Sequence, residues 1–201
     1  MKFYRIFRQS LIALCIMLCS LNVVADSVDA RTYISSLTAE LQQALQDGLE
    51  QDLLQDDAYL DKVIDELILP HIDQEYLSRR VFHPRWDDIA EANKADLAQD
   101  AVISSLRRTY RVALNAYNGQ TIDIGKSRDK PAFSVVRVKV HTNNNAHLMD
   151  FALRQTEGEW RVFDLSVDGV VFSKTLNGSI RRNLESDDVD SVINAITPDE
   201  T

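Results

Sequence analysis

The sequence predicts an α+β fold, a helical layer packed on a mostly antiparallel twisted sheet. Three observations carry that expectation. The first half of the chain spaces its apolar residues at three- and four-residue steps, as an amphipathic helix does. Residues 133–172 instead alternate between apolar and polar and are divided by turn residues. Beyond Phe172 the helical spacing returns.

Residues 1–25 read as a cleaved signal peptide. Lys2, Arg5 and Arg8 make a positive start, Ser10 to Val24 is nearly all apolar, and Val23-Val24-Ala25 forms a cleavage site before Asp26. The apolar stretch of about 15 residues is shorter than the ~20 that cross a bilayer. An uncleaved anchor is the alternative. Cys15 and Cys19 each follow a leucine rather than a small residue, which argues against a lipid anchor. Both cysteines fall in this segment, so the mature chain is expected to have neither a disulfide framework nor a thiolate metal site. Residues 26–196 are expected to form one domain, large enough to bury about 70% of its surface on folding. Residues 197–201 read as a disordered tail.

Ser27 to Asp47 reads as the first helix, with Ile34, Leu37, Leu41 and Leu45 on one face. Gly48 and the acidic run to Asp56-Asp57 read as a frayed end or loop, without the ligand spacing of a calcium loop. A second helix starts at Asp57 as its cap, uses Leu60, Val63, Ile64, Leu67 and Ile68, and stops by Leu69 because Pro70 follows. Asp73 is the expected cap of a third helix, with Ile72 and Leu77 as a hydrophobic staple. Trp86 is placed in a connector, followed by a helix from about Ala90 to Asn118, on the order of 40 Å long. Leu97, Val102, Leu106, Tyr110, Ala113, Leu114 and Tyr117 form its stripe, and Gly119 its stop. Arg107, Arg108 and Arg111 read as a solvated face, or else a dock for an acidic partner or headgroup.

Thr121 to Ile124 reads as a short strand. Phe133 to His141 alternates, Asn143-Asn144-Asn145 reverses the chain, and His147 to Arg154 returns with Met149, Phe151 and Leu153 on one face. His141 and His147 flank that turn and would face each other. After Gly158 comes Trp160-Arg161-Val162-Phe163-Asp164-Leu165-Ser166-Val167, an Asp168-Gly169 turn, then Val170-Val171-Phe172. So many large apolar residues on one strand and its return make an apolar wall. The segment offers no nucleophile with a base, no metal-ligand set and no glycine-rich phosphate loop. It favours binding an apolar ligand over catalysis. The chain then turns helical through Leu176, Ile180 and Leu184 and through Val189, Val192, Ile193 and Ile196; Asn177-Gly178-Ser179 there is discounted as a glycosylation acceptor.

The full chain has 22 Lys+Arg and 31 Asp+Glu; losing Lys2, Arg5 and Arg8 leaves 19 against 31, a net charge of −12. Such a chain is repelled by nucleic-acid phosphates and by anionic lipid surfaces. Nucleic acid is therefore excluded as a partner, and so is permanent adhesion to a membrane.

Ile68-Leu69-Pro70-His71-Ile72-Asp73, Trp86, Thr109-Tyr110, Tyr117-Asn118-Gly119-Gln120, Trp160-Arg161-Val162-Phe163-Asp164 and Asp168-Gly169-Val170 occur in this order. Together they resemble the MlaC family of toluene-tolerance auxiliary proteins. The chain departs from the family pattern at Asp168 and Val171, at Thr175-Leu176-Asn177 and at Asp187. The resemblance implies a deep apolar pocket between the helices and the sheet, and a periplasmic carrier that shuttles phospholipid between outer and inner membranes. It implies phospholipid as ligand with no cofactor or metal. The implied partners are an inner-membrane complex of an ABC transporter with an MCE domain, and an outer-membrane lipoprotein complex. A monomer is expected. The expected acyl-chain pocket is Leu67, Ile72, Leu77, Leu106, Tyr110, Leu114, Tyr117, Val136, Val138, Met149, Phe151, Phe163, Leu165, Val170 and Phe172, some of them serving as core.

A two-tailed lipid has about 30 methylenes, whose exposure to water costs about 24 kcal/mol at ~0.8 kcal/mol each. A soluble carrier must therefore enclose the tails. Two other readings stand beside it. One is an exported interaction module with an ordinary packed core. The other is a small-pocket enzyme, for which His71 with Asp73, or Tyr110 with Asp164, are the only acid–base candidates.

Overall fold

The computed structural model describes residues 28–142, 145–186 and 188–196. The expected signal peptide and the expected disordered tail lie outside them, as do Asn143 and Asn144 of the turn. Helices come first, then an antiparallel meander, then helices again. The sheet has five strands in the order β1-β2-β3-β4-β5, each antiparallel to the next.

Helix α1 spans Ala30–Glu50, capped by the Asp29 carboxylate on Thr32 N–H. It runs through Gly48, where a frayed end was expected. Gly48 is buried, and a Cβ there would stand 2.6 Å from the Tyr59 ring and 2.9 Å from Leu54. The missing side chain serves close packing; the helix is followed by Asp52, in the left-handed region at φ 55°. Helix α2 spans Asp57–Leu67, and its cap is Asp56 rather than Asp57, through Ala58 N–H. Leu69–His71 then forms one 3₁₀ turn. Asp73 caps helix α3, Gln74–Val81, as expected.

Trp86 is not in a connector. It is the first residue of helix α4, Trp86–Glu91, and is buried. The single long helix expected from Ala90 is two. Asn93 adopts φ 57° and Lys94 N–H bonds back to Ile89 carbonyl, which ends α4 before α5 begins. Helix α5 covers Ala95–Asn115, about 32 Å at 1.5 Å per residue. Leu97, expected on its apolar stripe, is 50% exposed, because the core-facing residues of that turn are Ala98 and Ala101.

The arginines of α5 are neither a free solvated face nor an open dock. Arg111 donates to Asp61 at 2.6 Å and to Asp57 at 3.3 Å, Arg107 pairs with Asp65 at 2.5 Å, and Arg108 donates to Ile196 carbonyl. Three acids on one face of α2 thus ladder two arginines of α5.

Strand β1 is far longer than the four residues expected, Thr121–Lys130. A bulge lies between Ile124 and Ser127, and Arg31 of α1 donates to the carbonyls of Ile124 and Gly125 there. β2 is Phe133–His141, β3 Ala146–Thr156, β4 Glu159–Val167 and β5 only Val170–Val171. Glu157-Gly158 and Asp168-Gly169 both place two residues at positive φ, the type I′ geometry that suits the twist of hairpins. His141 and His147 do not face each other: His141 bonds Asp123 and His147 bonds Asp168, each at 2.7 Å. Their strands offset them by one register step, His147 standing opposite Val140.

Helix α6 spans Phe172–Ser179, a 3₁₀ turn follows at Asn183–Glu185, and α7 is Val189–Asn194. Asn177 donates to the carbonyls of Val81 and His83, so its amide ties α6 to the end of α3.

Candidate functional site: an apolar cavity between two cores

Among the described residues the buried apolar side chains form two clusters, not one. The larger joins α2 to α7 and includes Leu60, Ile64, Phe82, Val102 and Leu106. The smaller joins α1 to the sheet through Ala30, Ile34, Val136, Val138, Leu153 and Val162. Ile72 packs against both. It is fixed there by a parallel bridge to Val162 of β4, where the Asp73 N–H bonds Val162 carbonyl at 2.8 Å.

Between the two clusters lies a cavity of about 280 Å³. Helix α1 supplies Ile34, Leu37, Thr38, Leu41 and Leu45; the end of α2 and its 3₁₀ turn supply Leu67, Ile68, His71 and Ile72. Helix α5 and the residues after it add Tyr110, Ala113, Leu114, Ala116, Tyr117 and Gln120. The sheet closes the other side with Ile122, Val138, Val140, Thr142, Met149, Phe151 and Val162. None of these residues is an aspartate, glutamate, lysine or arginine. Leu37, Leu41, Tyr117, Ile122, Val140, Met149 and Phe151 stay only half-buried although they point between layers. Ala113 and Ala116 are exposed and mark the rim.

Four of the polar side chains on the wall, those of Thr38, His71, Gln120 and Thr142, are held by the protein itself. Thr38 Oγ1 donates to Ile34 carbonyl, Gln120 joins Asn118 N–H and Ala116 carbonyl, and Thr142 Oγ1 donates to Asn145 carbonyl. His71 Nδ1 and Tyr33 Oη share a hydrogen bond of 2.8 Å. Burial, and then the nearby Arg161 charge, hold the His71 imidazole below its ordinary value, and burial pushes the Tyr110 phenol up to about 12. Both groups are neutral at neutral pH. Such a surface can hold a large apolar group, and it supplies no ion to move protons.

Of the expected pocket residues, Leu67, Ile72, Tyr110, Leu114, Tyr117, Val138, Met149 and Phe151 line this cavity. Leu77, Leu106, Phe163, Leu165 and Phe172 do not. They surround a small adjoining void, which shares Ile72, Tyr110 and Val162 with the main cavity. Val136 is fully buried in the smaller core, and Val170 is 64% exposed in the two-residue β5. Trp160–Phe172 thus borders mainly the void and reaches the cavity through Val162. The whole α1 wall, with Ile68, Ile122, Val140 and Val162, was missed. Its stripe was visible, but spacing shows which face is inward, not whether it meets side chains or space.

The acid–base candidates separate. His71 turns to Tyr33, whereas Asp73 is buried and takes Tyr76 N–H, Arg154 and Thr156. Asp164 borders the void with Tyr110, but its carboxylate accepts from Arg80, from the N–H and hydroxyl of Ser173 and from Leu165 N–H. Asp168 accepts from Leu148 N–H and bonds the His147 ring, both on the neighbouring strand β3. Among the described residues, no three His, Cys, Asp or Glu side chains gather in a way that could hold a metal. No helix among them is long and apolar enough to cross a membrane.

Comparison with known proteins agrees with this architecture. The toluene tolerance protein ttg2D of Pseudomonas putida is 27% identical over 172 residues, covering 84% of this chain and 78% of that protein. A phospholipid-binding protein from Ralstonia solanacearum, solved in complex with a phospholipid, superposes with a TM-score of 0.73 at 21% identity. That match covers 84% of this chain and 95% of the other, and shows the shared fold. The family model of the MlaC protein matches residues 34–197, nearly the whole described chain, and this chain belongs to the MlaC family.

Proposed function

We propose that this protein is a soluble periplasmic carrier that holds phospholipid by its acyl chains and is not an enzyme. The observation that carries the proposal is the cavity between the two cores, with no charged residue on its wall. The wall suits methylene chains, for which burial is worth ~0.8 kcal/mol per CH₂. The His71 imidazole and the Tyr110 phenol are neutral, and Thr38, Gln120 and Thr142 are bonded to the protein. The complex of the Ralstonia solanacearum protein with a phospholipid supports the same ligand class here.

The residues expected to touch acyl chains are then Leu67, Ile72, Tyr110, Leu114, Tyr117, Val138, Met149 and Phe151, joined by the α1 residues Leu37, Leu41 and Leu45. The carrier moves lipid between the outer and inner membranes. It exchanges cargo with an ABC-type transporter and its MCE-domain component on one side and an outer-membrane lipoprotein complex on the other. The acidic balance of the chain, 22 basic against 31 acidic residues, supports a shuttle that does not stay on anionic membranes between deliveries.

Transfer of a fluorescent phospholipid from donor to acceptor vesicles tests this. Added protein is expected to accelerate transfer in proportion to its concentration. Transfer at the protein-free rate, at every concentration, would contradict the proposal.

A further inference from the structure

A second concave site lies outside the apolar cavity and shares no lining residue with it. It is a cleft of about 380 Å³ between the last turn of α3 and the first turns of α6. We propose that this cleft binds a phosphate-bearing anion.

Charge is the first argument. The chain as a whole is acidic, yet the cleft is lined by Arg79, Arg80 and Lys174, with His83 and Tyr76 beside them and no carboxylate among its lining residues. A concave wall carrying one sign of charge focuses its field and concentrates the opposite ion. The carboxylates that touch these arginines stand outside the lining. Glu75 takes Nε and Nη2 of Arg79 at 3.0 and 2.8 Å, and Asp164 takes Nε and Nη2 of Arg80 at 3.0 and 2.9 Å. Each guanidinium thereby spends one edge on its carboxylate, and among the described residues its Nη1 has no acceptor. Lys174 Nζ has no carboxylate partner among the described residues. Three cations against two carboxylates leave an unmatched positive charge.

Order is the second argument. The Arg79 guanidinium sits 5.7 Å from the centre of the Trp86 ring, and that of Arg80 sits 5.5 Å from Phe163. Such stacking holds both heads in place before any ligand arrives, so less freedom is lost on binding. The loop bearing His83 is tied down by the Asn177 amide, on Val81 and His83 carbonyls.

Guanidinium edges on one wall and an ammonium on the other suit a tetrahedral phosphate group, whose oxygens accept from several directions at once. A single carboxylate would use only one arginine. Phosphate chemistry of this kind comes either from free phosphate and phosphomonoesters or from the glycerophosphodiester headgroup of a lipid.

The test is a titration of the full mature protein followed by NMR, first with inorganic phosphate and then with soluble glycerophosphoglycerol, against sodium chloride at matched ionic strength. Saturable shifts are expected at Tyr76, Arg79, His83 and Lys174, beyond those chloride causes. The R79Q/K174Q double variant, which changes two surface side chains, is expected to weaken binding at least tenfold while its remaining spectrum stays that of the folded protein. Tighter binding of glycerophosphoglycerol assigns the cleft to a lipid headgroup, and tighter binding of phosphate assigns it to a free anion; both support the site. Shifts no larger than those from chloride, or equal affinity in the double variant, overturn it and leave the cleft to an acidic protein segment. The outcome is independent of vesicle transfer, so this proposal and the carrier function fail separately.

Discussion

Single side chains decide how the cavity can be probed. Ala113 lies on its rim, exposed, with only a methyl group over the opening. Ala113→Trp adds an indole there without displacing a core residue, and exposed substitutions of this kind cost within about 0.5 kcal/mol. The variant is expected to keep its unfolding midpoint and to lose most of its lipid loading, read by recovery of labelled phospholipid on the purified protein. Full loading would mean that the chains enter elsewhere. Leu106→Trp is not an equivalent test, since Leu106 is buried in the larger core and an added indole would overpack it by about 1–3 kcal/mol.

His71 gives the wall a pH dependence whose sign follows from its environment. Burial, then Arg161, hold its folded-state value below the ordinary 6.5, so the unfolded chain takes up a proton that the folded protein resists. The stability contributed by neutral His71 is present above 6.5 and is lost as the pH falls below it. His71→Gln removes this titration. The urea midpoint of the wild-type protein is therefore expected to fall more steeply than that of the variant from about pH 7 to about pH 5. Parallel curves would show that the ring does not titrate with folding.

At the scale of elements, the informative positions are those that break a local rule. A glycine inside a helix normally costs about 1 kcal/mol relative to alanine. Gly48 is in that situation in α1, yet its missing Cβ is what lets Tyr59 approach and donate to Ala44 carbonyl at 2.6 Å. Gly48→Ala is expected to destabilise the protein by about 1–3 kcal/mol in urea unfolding. A stabilised variant would mean that α1 and α2 pack less closely than described.

Gly48 also illustrates what sequence can carry. Three long strands were legible because their apolar residues alternate and their turns use residues that tolerate positive φ, as Asp168-Gly169 does. Most of β1 was not. Beyond Ile124 it reads Gly-Lys-Ser-Arg-Asp-Lys, an edge strand kept polar, and such charge blunts edge-to-edge pairing. The break between α4 and α5 was hidden for the opposite reason: apolar periodicity continued across it, and only Asn93 signalled the left-handed stop. Of the cavity, the α5 and β3 walls were legible as apolar stripes. The α1 wall was legible as a stripe but not as a wall, because whether two inward faces touch is set by how α1 crosses the sheet. That crossing depends on long-range bonds such as Arg31 to Gly125 and Trp160 Nε1 to Val28 carbonyl.

For the whole molecule, the division of the core into two clusters is the central feature. A protein of this size gains stability by closing such a gap, since each buried methylene is worth about 0.8 kcal/mol. Here the gap stays open between α1, α5 and the sheet. It is bordered by the bridge from Ile72 to Val162, and a small void continues beyond Tyr110. A cavity held open on apolar walls is accounted for if something apolar fills it. Native mass spectrometry of the protein, expressed from its full sequence and purified without detergent, tests that claim most directly. The account predicts a population heavier than the bare chain by the mass of a two-tailed phospholipid, a population that Ala113→Trp depletes. A chain found only at its own mass, and still at its own mass after incubation with phospholipid vesicles, would contradict it.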